Sequence, residues 1–168
     1  MEEFLQHIIN GVSLGSIYGL VAIGYTMVYG ILNLINFAHG DVYMMGAFFG
    51  FFFAHWLGLL HSPSLLTLLV VLILAMAACA LLGMTIERFA YRPLRKQPRL
   101  NLLITAIGVS LLLENGGQLI FGADPKVFPE LIQRTTLLSI GNIEISNYQV
   151  IVVSVALSLM MILQFIIY

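Results

Sequence analysis

Between Val42 and Ile86 the chain carries no Asp, Glu, Lys or Arg, and the same holds from Phe4 to Gly40. A helix or sheet surrounded by water needs a polar face, so no water-soluble fold accommodates uncharged runs of this length. Composition agrees. Of 168 residues, 60% are hydrophobic and 9% charged, and the mean hydropathy is +1.00; a soluble domain carries about 25% charged residues. The chain reads as an integral membrane protein. A net charge of −1 without a large basic surface excludes a nucleic-acid binder. A single cysteine, Cys79, excludes a disulfide-stapled secreted domain.

A bilayer core of about 30 Å needs about 20 apolar helical residues. On that measure the pattern predicts an all-α, polytopic transmembrane helix bundle of about five spans, forming one domain over residues 1–168. The first span runs from about Leu5 to Leu32, and a polar break follows from Asn33 to Asp41. The second runs from Val42 to about Leu60, the third from about Leu65 to Ile86, the fourth from about Asn101 to Phe121, and the fifth from about Tyr148 onward. Pro63 with Ser62 and Ser64 marks a tight turn between the second and third. Alternating polar and apolar residues around Gly141-Asn142 predict a short hairpin in the loop from Ala123 to Asn147.

Five of the seven cations, Arg88, Arg92, Arg95, Lys96 and Arg99, fall in one short loop. Lys and Arg in short loops stay on the cytoplasmic side, which places loop 88–99 inside and, three spans earlier, the N-terminus outside. Glu2 and Glu3 fit that side, and they argue against a cleaved signal peptide, whose n-region is positive. The same cations are read either as a topology signal alone or as a docking surface for a cytoplasmic partner.

Small residues recur every four positions: Gly11, Gly15 and Gly19 in the first span; Gly46, Gly50, Ala54 and Gly58 in the second; Ala75, Cys79 and Gly83 in the third. Residues i and i+4 share a helix face. In lipid, close backbone approach through small side chains replaces apolar burial as the source of helix association. These stripes predict a closely packed bundle, with Cys79 as one more small packing residue.

Asn33, Asn36, His39 and Asp41 stand out because polar side chains at membrane depth are costly unless they face protein or water. Two readings stand for this break. It is a surface loop in which Asp41 caps the second helix, or it is an interrupted segment lining a substrate path, as in transporters. Glu114 is the other candidate for the pathway. Its fourth span holds eleven Leu, Ile, Val and Phe residues, each favouring insertion by about 0.3–0.6 kcal/mol against about 2.5–3.5 for a central acid. Such a helix inserts against its neighbours, with Glu114 in the bundle interior or snorkelling outward.

Three chemistries are set aside. Gly11-Val-Ser13-Leu-Gly15 matches the G-x-S-x-G pattern of serine hydrolases, but that pattern needs a strand–turn–helix elbow. Here the glycines belong to a packing stripe, and a Ser13–His39 protease pair would be about seven helical turns apart. His55 and His61 do not share a helix face, so no metal site is expected. No G-x-x-x-x-G-K-[ST] occurs, so the chain hydrolyses no nucleotide by that route. The expectation is a non-enzyme without a cofactor.

The run from Gly15 to Gly30, then Leu34-Ile-Asn-Phe-Ala-His-Gly-Asp41 and Met44-Met-Gly-Ala47, resembles the permeases of branched-chain amino-acid ABC importers, and among them the high-affinity H-type subunit. Glu87-Arg88, Tyr91-Arg-Pro-Leu94, Leu103-Ile-Thr-Ala-Ile-Gly108 and Phe121-Gly-Ala-Asp-Pro125 extend the resemblance over most of the chain. It implies a bacterial inner-membrane subunit that pairs with a second homologous permease. Two cytoplasmic ATPases, which bind the ATP, and a periplasmic substrate-binding protein would complete an importer of Leu, Ile and Val. Related importers of urea and short amides have similar permeases. A channel or secondary carrier with no ATPase partner is the competing class. The family's further spans and its ATPase-contacting loop do not appear before Tyr168, so the expectation is a fragment or truncated reading frame that does not transport by itself.

Overall fold

The computed structural model describes residues 2–32, 35–58, 64–133, 135–141 and 143–167. Among the described residues there are five long helices and one hairpin: α1 (Glu2–Leu32), α2 (His39–Trp56), α3 (Leu65–Ile86), α4 (Arg99–Phe121), β1 (Thr136–Ile140), β2 (Ile143–Ser146) and α5 (Asn147–Ile167). Among the described residues, four helical runs are long and apolar enough to cross a membrane, namely Glu2–Gly30, Leu65–Leu94, Arg99–Phe121 and Asn147–Ile166. The chain is a multi-pass membrane protein of the all-α class.

The second expected span differs from the pattern-based boundaries. α2 begins at His39, not Val42, and ends at Trp56, short of Leu60. With 18 residues that include His39, Asp41 and His55, it is not one of the four membrane-crossing runs among the described residues. Gly58 adopts φ +64, a left-handed conformation open to glycine without a steric penalty, and its N–H bonds the carbonyl of His55 at 3.1 Å. Gly58 therefore lies past the helix end and is not a member of the α2 stripe. The turn expected around Pro63 lies outside the described residues. At its downstream edge the Ser64 hydroxyl caps α3 by accepting from the Thr67 N–H at 3.2 Å.

The basic segment is also more ordered than a loop. α3 continues through a π-helical turn, Glu87–Tyr91, and a 3-10 turn, Arg92–Leu94, before the chain turns into α4. Clustered cations report the side of the membrane without interrupting a helix, because Lys and Arg are good helix formers. Arg95 pairs with Glu87 at 2.6 Å across this extension.

Two compact units form, residues 1–31 with 134–168, and residues 32–133. In the first, α1 and α5 are joined through the hairpin. β1 and β2 pair antiparallel with Ile140 opposite Ile143, and Gly141 between them has φ +62, as a two-residue hairpin loop requires. Ser146 and Gln149 form a capping box at the start of α5: the Gln149 N–H donates to the Ser146 hydroxyl at 3.4 Å, and the Ser146 N–H to Gln149 Oε1 at 3.1 Å. Gln6 of α1 binds both backbone groups of Glu144, donating to its carbonyl at 3.1 Å and accepting from its N–H at 2.9 Å. Asn10 accepts from Gln149 at 2.7 Å.

In the second unit α2 packs on both α3 and α4. Gly46 and Gly50 approach Cys79 and Val71 of α3, so those helices run in opposite senses. Asp41 meets Ser110, Met44 and Met45 meet Gly117, and Phe48 and Phe52 stack on Phe121, so α2 and α4 run in the same sense. The buried core between them is Ala38, Met45, Tyr91, Ala106, Val109 and Leu113. The π-turn and the Asn36 segment share one end of this unit. At the other end residues 122–131 fold back, with Leu131 buried against Ala54 and Val71.

The small-residue stripes therefore do different work at each position. A Cβ on Gly46 would stand 3.0 Å from Cys79 Sγ, which is helix-to-helix contact of the expected kind. At Gly50 the nearest atoms are the Phe128 ring at 3.4 Å, so this position admits a loop aromatic. Gly19 faces Met160 Sδ at 3.8 Å, whereas a Cβ on Gly11 or Gly15 would meet no described atom within 4 Å.

Candidate functional site

The polar break folds into a short turn built around one side chain. Asn36 Oδ1 accepts from the Ala38 N–H at 3.1 Å, and the Asn36 carbonyl accepts from the His39 N–H at 3.1 Å. An Asn that bonds the backbone two residues on mimics a turn of main chain, which is why Asn suits this position. The same Oδ1 accepts from the Tyr91 hydroxyl at 2.7 Å, so the turn is held against the π-helical segment. Ala38 is 0% and Tyr91 3% exposed, so both hydrogen bonds lie away from competing solvent.

Asp41 does not cap α2. The residue before the helix is Ala38, which makes no side-chain cap, and Asp41 sits in the first turn with its carboxylate accepting from the Ser110 hydroxyl of α4. A negative group in the first turn also suits the helix dipole. The Cys79 thiol of α3 donates to the Val42 carbonyl of α2 at 3.7 Å.

Glu114 stands one turn beyond Ser110 on α4, so it follows Ser110 on the same face. It is exposed and lines a cavity of about 470 Å³ with Met44, Phe48 and Phe51 of α2 and Asp124 and Lys126 of the returning segment. Polar groups thus follow the α2–α4 seam in sequence: the Asn36–Tyr91 link at the end that carries the basic segment, Asp41–Ser110 next, then Glu114 at the cavity. Asn36, His39 and Asp41 share the start of α2, and Glu114 is separate from them. Asn33 lies outside the described residues. Ser13 sits within the continuous helix α1, with no strand or elbow around it.

Ser110, and the role of Tyr91 as donor to Asn36, emerge only from the folded structure. A hydroxyl in the middle of an apolar span was the available signal for Ser110.

Residues 7–168 match the family described as "Branched-chain amino acid transport system / permease component". The chain is 40% identical over 154 residues to the high-affinity branched-chain amino acid transport system permease protein BraD of Pseudomonas aeruginosa, covering 89% of this chain and 50% of that protein. It is 46% identical over 129 residues to the LivH permease protein of the same description from Salmonella typhimurium, covering 76% of this chain and 42% of that protein. LivH of Escherichia coli K12 is 45% identical over 129 residues, with the same shares covered. The chain spans about half the length of these curated relatives. No solved structure matches it significantly. With the match running from α1 through α5, the chain belongs to the family of branched-chain amino acid transport permease components.

Proposed function

We propose that this chain is the membrane-spanning permease part of an ATP-driven importer of branched-chain amino acids, acting in the bacterial inner membrane. The observation that carries the reading is the family match over residues 7–168. Its partners are a second homologous permease, two cytoplasmic ATPases that bind the ATP, and a periplasmic binding protein. The chain itself binds no cofactor. The segment 88–99 faces the cytoplasm and the N-terminus faces out, as the concentration of cations there favours.

The importer works by alternating access, in which partner binding and ATP hydrolysis shift a bundle between two states. In this mechanism the seam between α2 and α4 is the part of the chain that borders the path. Asn36, His39 and Asp41 shape its cytoplasmic end, and the Asn36–Tyr91 and Asp41–Ser110 hydrogen bonds keep polar groups satisfied where water is scarce. Glu114 borders its outer end.

Affinity purification of the full natural protein in mild detergent, from cells expressing its partners, tests this reading. The expected result is recovery of ATPase subunits with the chain, together with ATP-dependent leucine uptake that is lost when the gene is deleted. Recovery without any ATPase, or leucine uptake unchanged by the deletion, overturns it. Competition by urea or acetamide in place of leucine would move the substrate class.

A further inference from the structure

The cavity at the outer end of the α2–α4 seam has a lining that the family match leaves unassigned. Its α2 wall is apolar and aromatic, made by Met44, Phe48 and Phe51, while α4 and the returning segment add two carboxylates, Glu114 and Asp124, and one ammonium, Lys126. Small-molecule sites have this character: apolar walls, a few convergent polar groups, and volumes of about 300–1,000 Å³. The volume here, about 470 Å³, falls within that range. Phe48 is stacked on Phe121 with ring centroids 4.8 Å apart, so that wall is pre-formed and not an accident of loose side chains. Glu114 is anchored on a long helix, one turn from the Asp41–Ser110 contact.

A ligand that matches this lining carries an ammonium, a carboxylate and a compact apolar group. We propose that the cavity receives a free amino acid with an apolar side chain, the α-ammonium bound by Glu114, the α-carboxylate by Lys126, and the side chain laid against Phe48 and Phe51. Glu114 is the positioning charge on the rigid element, and Asp124 adds to the preference for an ammonium. The assignment rests on the permease reading and deepens it: a site on the permease itself adds a second selection step at the outward mouth. Charged groups that recognise both ends of a zwitterion reject analogues lacking either end, because the unmatched charge is left without its partner.

Equilibrium binding of radiolabelled leucine to the full natural protein in lipid nanodiscs tests the site without any need for transport. Leucine should bind more tightly than isoamylamine, which lacks the carboxylate, and than 4-methylpentanoate, which lacks the ammonium. Glu114→Gln should weaken leucine by about tenfold or more, the scale of one charge-assisted hydrogen bond, without weakening 4-methylpentanoate. Lys126→Met, on an exposed segment where folding is not at stake, should weaken leucine but not isoamylamine. No detectable leucine binding, equal binding of all three compounds, or leucine affinity unchanged in both variants overturns the site. The uptake and co-purification measurements decide the transporter reading independently, so a failed site and a failed transporter reading are distinguishable.

Discussion

Asn36 accepts two hydrogen bonds on one oxygen, from the Ala38 N–H and the Tyr91 hydroxyl, and that sharing makes a ranking testable. Asn36→Ala leaves a buried backbone N–H and a buried hydroxyl without partners, at about 1–3 kcal/mol for an orphaned buried group. Tyr91→Phe removes one donor and leaves the turn intact, at about 1 kcal/mol. Thermal unfolding in detergent should rank wild type above Tyr91→Phe and Tyr91→Phe above Asn36→Ala; equal losses would mean that the turn itself contributes nothing. A second residue-scale test concerns Gly46. A methyl group there stands 3.0 Å from Cys79 Sγ, so Gly46→Ala forces α2 or α3 to yield, with overpacking costs of about 1–3 kcal/mol. Cys79→Ala removes the sulfur, and the double variant should recover part of the loss, as contacting residues couple. Strict additivity of the two unfolding shifts would show that they do not touch. The small-residue repeat that points to Gly46 was legible in the sequence. Its partner was not, because spacing along one helix does not say what the face meets.

At the scale of elements, five helices and the hairpin were legible, since hydropathy and turn chemistry are local. The boundaries that moved did so for reasons beyond hydropathy. α2 starts early because the Asn36 turn sets its first residue, and it stops at Trp56 because Gly58 leaves the helical region. The hairpin is held to its neighbours by amides. Gln6 matches both backbone groups of Glu144, and Ser146 with Gln149 closes the start of α5. Ser146→Ala should destabilise that start by about 1 kcal/mol, the usual value of a lost cap. Hydrogen exchange should then accelerate in the first turn of α5 and at residues 143–146, with α3 unchanged. If exchange rises uniformly over the whole chain instead, the box is not a local lock.

For the molecule as a whole, the proposed orientation rests on the clustering of cations and is open to a labelling test. In a Cys79→Ala background, Lys96→Cys should react with a membrane-impermeant maleimide only in inside-out vesicles, and Lys126→Cys only in right-side-out ones. The two positions belong to opposite ends of the 32–133 unit, so labelling from the same side would contradict its helix directions. Membrane residence, helix number and order, the hairpin and the charged end were determined by the sequence by itself, because each depends on residues near one another in the chain or on a simple count. The polar seam was decided only by the tertiary structure. Tyr91 is 55 positions from Asn36 and Ser110 is 69 from Asp41, and no local pattern says which buried donor will meet which acceptor. Glu114 read from sequence as one acid in a marginal helix. It acquired neighbours only when α2, running in the same sense as α4, brought Met44, Phe48 and Phe51 to its side and the chain after α4 returned with Lys126. Local hydropathy selects the elements, whereas the satisfaction of buried polar groups selects how they are put together.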